Sequence, residues 1–402
     1  MGALEFSSLF PALAAFTWQH LVMIAVGGIL IYLAIAKEYE PTLLLPMGFG
    51  AILVNIPWSS ALLAVKGQVE SWPLAQKYLS EGLHNMVEPG ALSVFFNAGI
   101  ATEVFPLLIF IAIGAMIDFS PLFRNPFLLL FGAAAQFGIF ATIALAAACG
   151  FDLYQAASIG IIGAADGPTS IFVANKFAPE LLGPISVAAY SYMALVPIIQ
   201  PPVIRAITSK RERRIKMTGV DNSKPISRTT MILFPIVVTI IAGIIAPASL
   251  ALIGFLMFGN LIRECGVLNK LSLGAQNELS NIVTILLGIT IASTMTAERF
   301  VRVDTLMIMG LGLFAFIFDT FGGVMFAKLM NIFMPKHMKI NPMVGACGIS
   351  AFPMSARVIH NMGQKEDRTN FLLMPAISTN VGGQIGSVVA GGLILALIPL
   401  FA

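Results

Sequence analysis

Asp166 stands in GIIGAADGPTSIF, residues 160–172, as one carboxylate among Ile, Ala and Gly. Charge in so apolar a run is costly to bury, and a retained acid there is by default a candidate ion or proton site. The Gly167-Pro168 pair beside it lacks one backbone donor and clashes with the preceding turn, which predicts unwound backbone at that point. A second interruption, Phe352-Pro353 in GISAFPMSARV (348–358), lies near Ser350 and Ser355. Two opened sets of carbonyl oxygens, with Asp166, Thr169, Ser170, Ser350 and Ser355 close by, form hard-oxygen surroundings that suit a hard cation. The structural alternative for Asp166 is a salt bridge, or a cap on a half-helix expected to begin at Thr169, where an acid is favoured anyway.

Further polar residues interrupt the apolar sequence. Arg357 offers a planar donor fork to an anionic group, or snorkels to the membrane surface. Glu103 and Asp319 read as structural partners or interfacial residues as readily as functional ones. In TNVGGQIGS (379–387), Asn380 and Gln384 lie four apart on one helix face, and neighbouring glycines permit close approach. Asn341 offers another amide oxygen just before the second interruption. Tyr192 and Gln200 lie in SYMALVPIIQPP, kinked by Pro197 and Pro201-Pro202. Hydrogen bonding between helices is the competing reading for all of these. Cys149, Cys265 and Cys347 have no paired spacing and read as packing residues. The histidines are isolated, and no Walker sequence points to ATP.

The elements that hold these residues belong to a membrane. The chain has 402 residues, 57% of them hydrophobic and 11% charged, with mean hydropathy +0.89. Soluble domains carry about 25% charged residues and lack repeated apolar runs near 20 residues. Such runs fall at 20–37, 42–58, 94–117, 126–149, 183–204, 230–246, 248–263, 278–297, 304–332 and 370–400, which predicts about ten spans. Runs 155–180 and 341–361 are broken by Gly, Pro and polar residues. Residues 1–20 lack a basic leader and read as an interfacial segment rather than a signal peptide. The loop 205–228 holds eight Lys or Arg against two acids, so the positive-inside rule places it in the cytoplasm. Beside so many spans, nucleic-acid binding is not the reading of that charge.

The loop also divides two halves that echo each other. GAADGPTSIFV (163–173) aligns with GISAFPMSARV (348–358), LLLFGAAAQFGIF (128–140) with LMIMGLGLFAFIF (306–318), and PTLLLPMGF (41–49) with PASLALIGF (247–255). The expected organisation is an interfacial segment 1–20, a first membrane repeat 21–204, the basic loop 205–228 and a second repeat 229–402. If the broken runs re-enter, the repeats are inverted and Lys328, Lys336 and 365–368 share the cytoplasmic side with the loop. The expected fold is therefore an all-α polytopic membrane protein of two inverted-topology repeats, about ten spans and two broken or re-entrant hairpins. Paired broken segments in inverted halves point to a midplane binding site and to transport.

At GAADGPTSIFVANK, SYMALVPIIQPPVIR and NPMVGACGISAFPMSARVIH, the chain resembles the β subunit of the sodium-ion-translocating, biotin-dependent decarboxylases. These act on oxaloacetate, methylmalonyl-CoA or glutaconyl-CoA, and the resemblance runs essentially the whole length. It implies a subunit that decarboxylates carboxybiotin, consumes an external proton and exports Na+. It also implies a biotinylated carrier protein, a carboxyltransferase α subunit and a small membrane γ or δ subunit as partners in the inner membrane, and leaves room for a homo-oligomer. The family's essential aspartate falls on Asp166, its tyrosine on Tyr192, its second cluster on Asn341, Gly345, Ser350 and Arg357, and its late asparagine on Asn380. On that basis Asp166, Tyr192, Ser350 and Arg357 are expected to be catalytic. Arg357, Asn341 and Gly345 are expected to face carboxybiotin, and Asp166, Asn341, Ser350 and Asn380 to hold Na+. The rival reading is a cation-coupled secondary transporter of a carboxylate, which would lack a biotinylated partner.

Overall fold

The computed structural model describes residues 15–402 except 58, 66–86, 125, 218–225, 246, 336–337 and 352–353. Most of the expected interfacial segment, part of the basic loop, Lys336 and the Phe352-Pro353 interruption thus lie outside the described residues. About 82% of the structure is helical. The expected all-α class holds but for one small ribbon, β1 (Leu63–Val65) antiparallel to β2 (Val87–Pro89), with Leu63 opposite Pro89.

The helices that matter below are α1 (Trp18–Ala36), α2 (Pro41–Val54), α3 (Val104–Met116), α4 (Leu129–Ala135) and α5 (Phe137–Ala148). They continue as α6 (Leu153–Gly160), α7 (Gly167–Phe177), α8 (Leu182–Ala194), α9 (Val196–Ile207) and α10 (Arg228–Ile245). The last are α11 (Leu250–Glu264), α12 (Ser280–Ile291), α13 (Val303–Phe333), α14 (Met354–Glu366) and α15 (Leu373–Phe401).

Two compact units emerge. One runs to Pro106 and adds Asn281–Leu306; the other comprises Leu107–Ser280 and Met307–Ala402. Each therefore draws on both sides of the basic loop rather than on one linear half. In the first unit, Thr17 caps α1 reciprocally with His20, satisfying orphan donors of the first turn. Its buried residues Met23, Gly27, Leu30 and Ala34 recur at helical spacing and line one face. The opposite face carries Trp18, Leu21, Ile29, Tyr32 and Ile35, exposed yet equally apolar. A helix apolar all round is solvated by lipid, not water. Asn55, at the end of α2, donates to the carbonyls of Ala51 and Met295, both at 2.7 Å.

The second unit is built around α15, which is buried along most of its length from Pro375 to Leu395. Its Val381, Val388 and Ile394 pack in one apolar cluster with Phe110, Ile139, Phe172 and Leu256. Backbone meets backbone where α4 crosses α15: a Cβ on Gly132 would run into the main chain of Gly382. Such small-residue crossings are how helices approach when lipid gives no hydrophobic drive between them.

Four stretches among the described residues are long and apolar enough to cross a membrane: Trp18–Ala36, Pro126–Ala148, Val303–Phe333 and Leu373–Phe401. Counting two bent pairs, Ala91–Ile100 with Val104–Met116 and Pro179–Met193 with Val196–Ile207, gives up to six. The expectation of about ten is not reached on this measure because hydropathy reads through backbone breaks. Pro41–Val54, Leu153–Ala164 and Arg228–Ile244 are apolar but only 10–17 residues long.

Substituting Gly132 by Ala should cost about 1–3 kcal/mol through overpacking against Gly382. A Cβ on Gly28 of α1 meets nothing within 4 Å, so Gly28→Ala should stay within about 0.5 kcal/mol of the parent. Thermal unfolding of the detergent-solubilised variants checks both.

Candidate functional site

Asp166 lies where the chain opens between α6 and α7. After α6, Ile161–Ala164 tightens into a 3-10 turn, and Ala165 takes a left-handed conformation, φ 51 and ψ 40. For a residue with a Cβ that conformation is strained by about 1–2 kcal/mol. Asp166 is extended, and α7 then starts at Gly167 with Pro168 in its first turn. The break is thus two residues earlier than the expectation that Gly167-Pro168 is unwound and the helix starts at Thr169. The reason is that first-turn N–H groups have no helical partner, so proline loses nothing there.

The carboxylate is buried at 3% exposure. The Thr169 hydroxyl donates to Oδ2 at 2.6 Å, the Ser387 hydroxyl to Oδ2 at 3.2 Å, and the Thr169 N–H to Oδ1 at 3.5 Å. Among the described residues no basic side chain pairs with it. Among the described residues the salt-bridge alternative is therefore not realised, while the capping alternative is realised alongside whatever else Asp166 does.

The second break approaches the first directly. Pro342–Gly345 forms one helical turn, Ala346–Gly348 a 3-10 turn, and Ile349 is extended. The Ser350 N–H then donates to the carbonyl of Ala164 at 3.1 Å. The Ser350 hydroxyl donates to Ser387, whose own hydroxyl reaches Asp166. A line of oxygens runs from the acid of the first break to the serine of the second.

Opened carbonyls at membrane depth need donors. Sequence reasoning left carbonyls around Phe352-Pro353, outside the described residues, free for a cation; just before them the structure supplies each carbonyl from Ala346 to Ser350 with an amide. Gln200 Nε2 meets Ala346 O at 2.9 Å, and Asn380 Nδ2 meets Cys347 O at 3.2 Å and Ile349 O at 2.7 Å. Gln136 Nε2 meets Gly348 O at 3.3 Å, and Gln384 Nε2 meets Ser350 O at 2.6 Å. With the nitrogens so committed, the oxygens of Gln136, Asn380 and Gln384 are buried without a hydrogen-bond partner among the described residues. Acceptor capacity passes from the backbone to side-chain amides. Buried acceptors need a donor or a cation, and amide oxygens are ligands of the kind a hard ion takes.

The other expected residues lie elsewhere. Asn341 is buried, caps the Pro342–Gly345 turn through Met343 N–H, and donates to Arg213 O at 2.9 Å and Ile215 O at 2.8 Å. Gly345 faces Gly323 at a backbone-to-backbone crossing. Tyr192 donates to Met309 O on α13. Arg357 is exposed on α14 and has no ion-pair partner among the described residues. Glu103 occupies a left-handed turn, φ 64, just before α3. Thus Asp166 and Ser350 are brought together with Asn380 beside the second break, while Asn341, Gly345, Tyr192 and Arg357 stand outside that network. Sequence reasoning missed Ser387 and Gln136. Ser387 carried a usable signal, since 380, 384 and 387 continue one helix face; Gln136, alone in AAAQFGIF, carried none.

Near Asn341 a second polar cluster gathers the described part of the basic loop. Arg213 pairs with Glu366 at 2.7 Å and donates to Thr208 O. Lys328 pairs with Glu212 at 3.2 Å, and Asn370 joins Asn341 on the carbonyls of Arg213 and Ile215. Asp367 accepts from the Thr369 hydroxyl at 2.7 Å, from the Thr369 N–H at 2.9 Å and from Lys216 at 3.2 Å. These contacts, the Thr369 hydroxyl first, hold its carboxyl down to about 2.

A family model described as the Na+-transporting oxaloacetate decarboxylase beta subunit matches residues 19–398. The methylmalonyl-CoA decarboxylase subunit beta of Propionigenium modestum is 50% identical over 94% of this chain and 94% of its own length. The glutaconyl-CoA decarboxylase subunit beta of Acidaminococcus fermentans is 47% identical over 96% and 94%, respectively. The oxaloacetate decarboxylase beta chain of Klebsiella pneumoniae is 44% identical over 93% and 94%.

An unperturbed Asp titrates near about 3.9, so the depressed Asp367 stabilises the folded chain above that pH, and the contribution is lost as pH falls through about 2. Tryptic cleavage after Lys216 should therefore be no greater at pH 5.5 than at pH 8, once corrected for protease activity. Asp367→Asn should raise it severalfold at both.

Proposed function

The chain belongs to the family of beta subunits of Na+-transporting decarboxylases, and from that premise we propose that its paired breaks form the seat through which decarboxylation drives Na+ across the membrane. The observation that carries this reading is the meeting of the breaks at Asp166, Ser387 and Ser350, with buried amide oxygens left open on the same α15 face. Asp166 supplies the compensating charge for the ion. Ser350, Asn380 and the carbonyls of the first break supply neutral oxygens, and Ser387 orients the carboxylate. Asn341, expected among the ligands, acts instead by fixing the start of the second break, since both atoms of its amide are engaged.

A family of this kind implies a multi-subunit complex. We read the partners as a biotinylated carrier, a carboxyltransferase α subunit and a small membrane γ or δ subunit. Beta subunits named for three different acids match this chain at similar identity, which fits a subunit that never touches the acid itself. When presented, carboxybiotin supplies an anionic carboxylate whose release as carbon dioxide is the driving reaction. Arg357 suits that anion: it is exposed, carries a bidentate donor fork and is not already committed to an acid among the described residues. Gly345, packed against Gly323, positions the second break rather than lining a pocket. We read Asp166 as the group that holds the proton consumed; Tyr192, expected to share that role, donates instead to Met309 O. Moving one positive charge against 100 mV costs about 2.3 kcal/mol, so proton and Na+ must not leak past one another. Competition for the single Asp166 carboxylate achieves that.

The basic loop is read as cytoplasmic in an inner membrane. Re-entrant breaks in inverted repeats require residues 205–217, Lys328 and 365–368 on one side, and these touch one another through Glu212, Glu366 and Asp367. The recurrence of a 3-10 turn between helices at both breaks, and units that draw on both halves, are in keeping with that duplication.

Asp166→Asn should bring Na+-stimulated decarboxylation to background while the chain still copurifies with a biotinylated protein. Normal Na+ stimulation in that variant, or recovery of the parent chain with no biotinylated partner, would overturn the proposal. Ser387→Ala should raise the Na+ concentration for half-maximal activity about tenfold, as expected for loss of a group that orients a ligand.

A further inference from the structure

Asp319 is a second carboxylate buried in the same unit, at the middle of α13 and 1% exposed. Its Oδ1 accepts the N–H of Ile139 at 3.2 Å and lies against Gly138, where a Cβ would collide with it. It thereby supports the start of α5 from a neighbouring helix: the Ile139 N–H, in the first turn after the break at Gln136, is shared between this carboxylate and the Gln136 carbonyl, also at 3.2 Å. Its Oδ2 has no hydrogen-bond partner among the described residues and lies against Gly163, where a Cβ would collide with it. Gly163 belongs to the 3-10 turn that leads into Ala165 and Asp166. The next residue, Ala164, provides the carbonyl that receives the Ser350 N–H.

We propose that Asp319 is a positioning residue for the ion seat: wedged between the start of α5 and Gly163, it sets the turn that delivers Asp166 and the Ala164 carbonyl to the second break. The role rests on the reading of Asp166 as the Na+-binding carboxylate. It needs an oxygen at Oδ1 and a side chain of that length, and Gly138 and Gly163 are the two positions whose lack of a side chain lets the wedge enter. Ala at position 319 removes the support and the wedge. Asn keeps the accepting oxygen and the volume. Ala at 163 pushes the wedge away while leaving Asp319 intact.

The test is the Na+ dependence of decarboxylation by the intact complex carrying Asp319→Ala, Asp319→Asn or Gly163→Ala, compared at equal membrane content and biotinylated-partner recovery. Asp319→Ala and Gly163→Ala should each raise the half-saturating Na+ concentration about tenfold, and Asp319→Asn should stay within about twofold of the parent. Unchanged half-saturation in Gly163→Ala, or in an Asp319→Ala chain that assembles, overturns the assignment. So does Asp319→Asn being as impaired as the Ala variant, which would make the charge rather than the shape decisive. If Asp319→Ala does not accumulate, the Gly163→Ala and Asp319→Asn pair decides alone. Loss of Na+ stimulation in Asp166→Asn with no shift in these variants sinks this inference and leaves the seat standing; normal stimulation in Asp166→Asn sinks the seat itself.

Discussion

A polypeptide that opens inside a membrane protein must find donors for its freed carbonyls without help from water. That requirement governs the second break. From Ala346 to Ser350 five successive carbonyls are each met by a side-chain amide drawn from α9, α15 or the junction of α4 and α5. A continuous helix would have satisfied them locally and left nothing for chemistry. By answering them with Asn and Gln, the fold keeps the segment out of a continuous helix and leaves the amide oxygens of Gln136, Asn380 and Gln384 buried and unpartnered among the described residues.

The helix that organises this construction is α15. It presents Asn380, Gln384 and Ser387 along one face, and its Gly382 and Gly383 admit the main chains of α4 and the second break. Polar reach and backbone proximity are opposed demands on a buried helix, since a long side chain needs space and a close crossing removes it. Alternating amides with glycines meets both. The first break is simpler: Asp166 and Thr169 answer each other within one turn, and Ser387 and the Ser350 N–H reach it from elsewhere.

Much of this was legible in the sequence. An acid beside Gly-Pro in an apolar run located the first break, and the spacing of 380 and 384 identified the polar face of α15. Proline is ambiguous, however: the residue that ends a helix also opens one, and α7 uses Pro168 in its first turn. Pairings such as Gln136 with Gly348 join residues 212 apart, and no local pattern encodes them. Hydropathy located apolar runs but not the interruptions at Gln136 and Leu195 that divide them. The basic loop reads as a boundary between halves, whereas the compact units each take residues from both sides of it, because contacts between segments far apart in sequence leave no contiguous trace.

The hydrogen bond from Ser350 to Ala164 ties main chain to main chain between the two breaks. A gate that worked by prying the two openings apart would sacrifice that rung and strand its donor and acceptor in a dry interior. Shifting the joined pair as a single block preserves it.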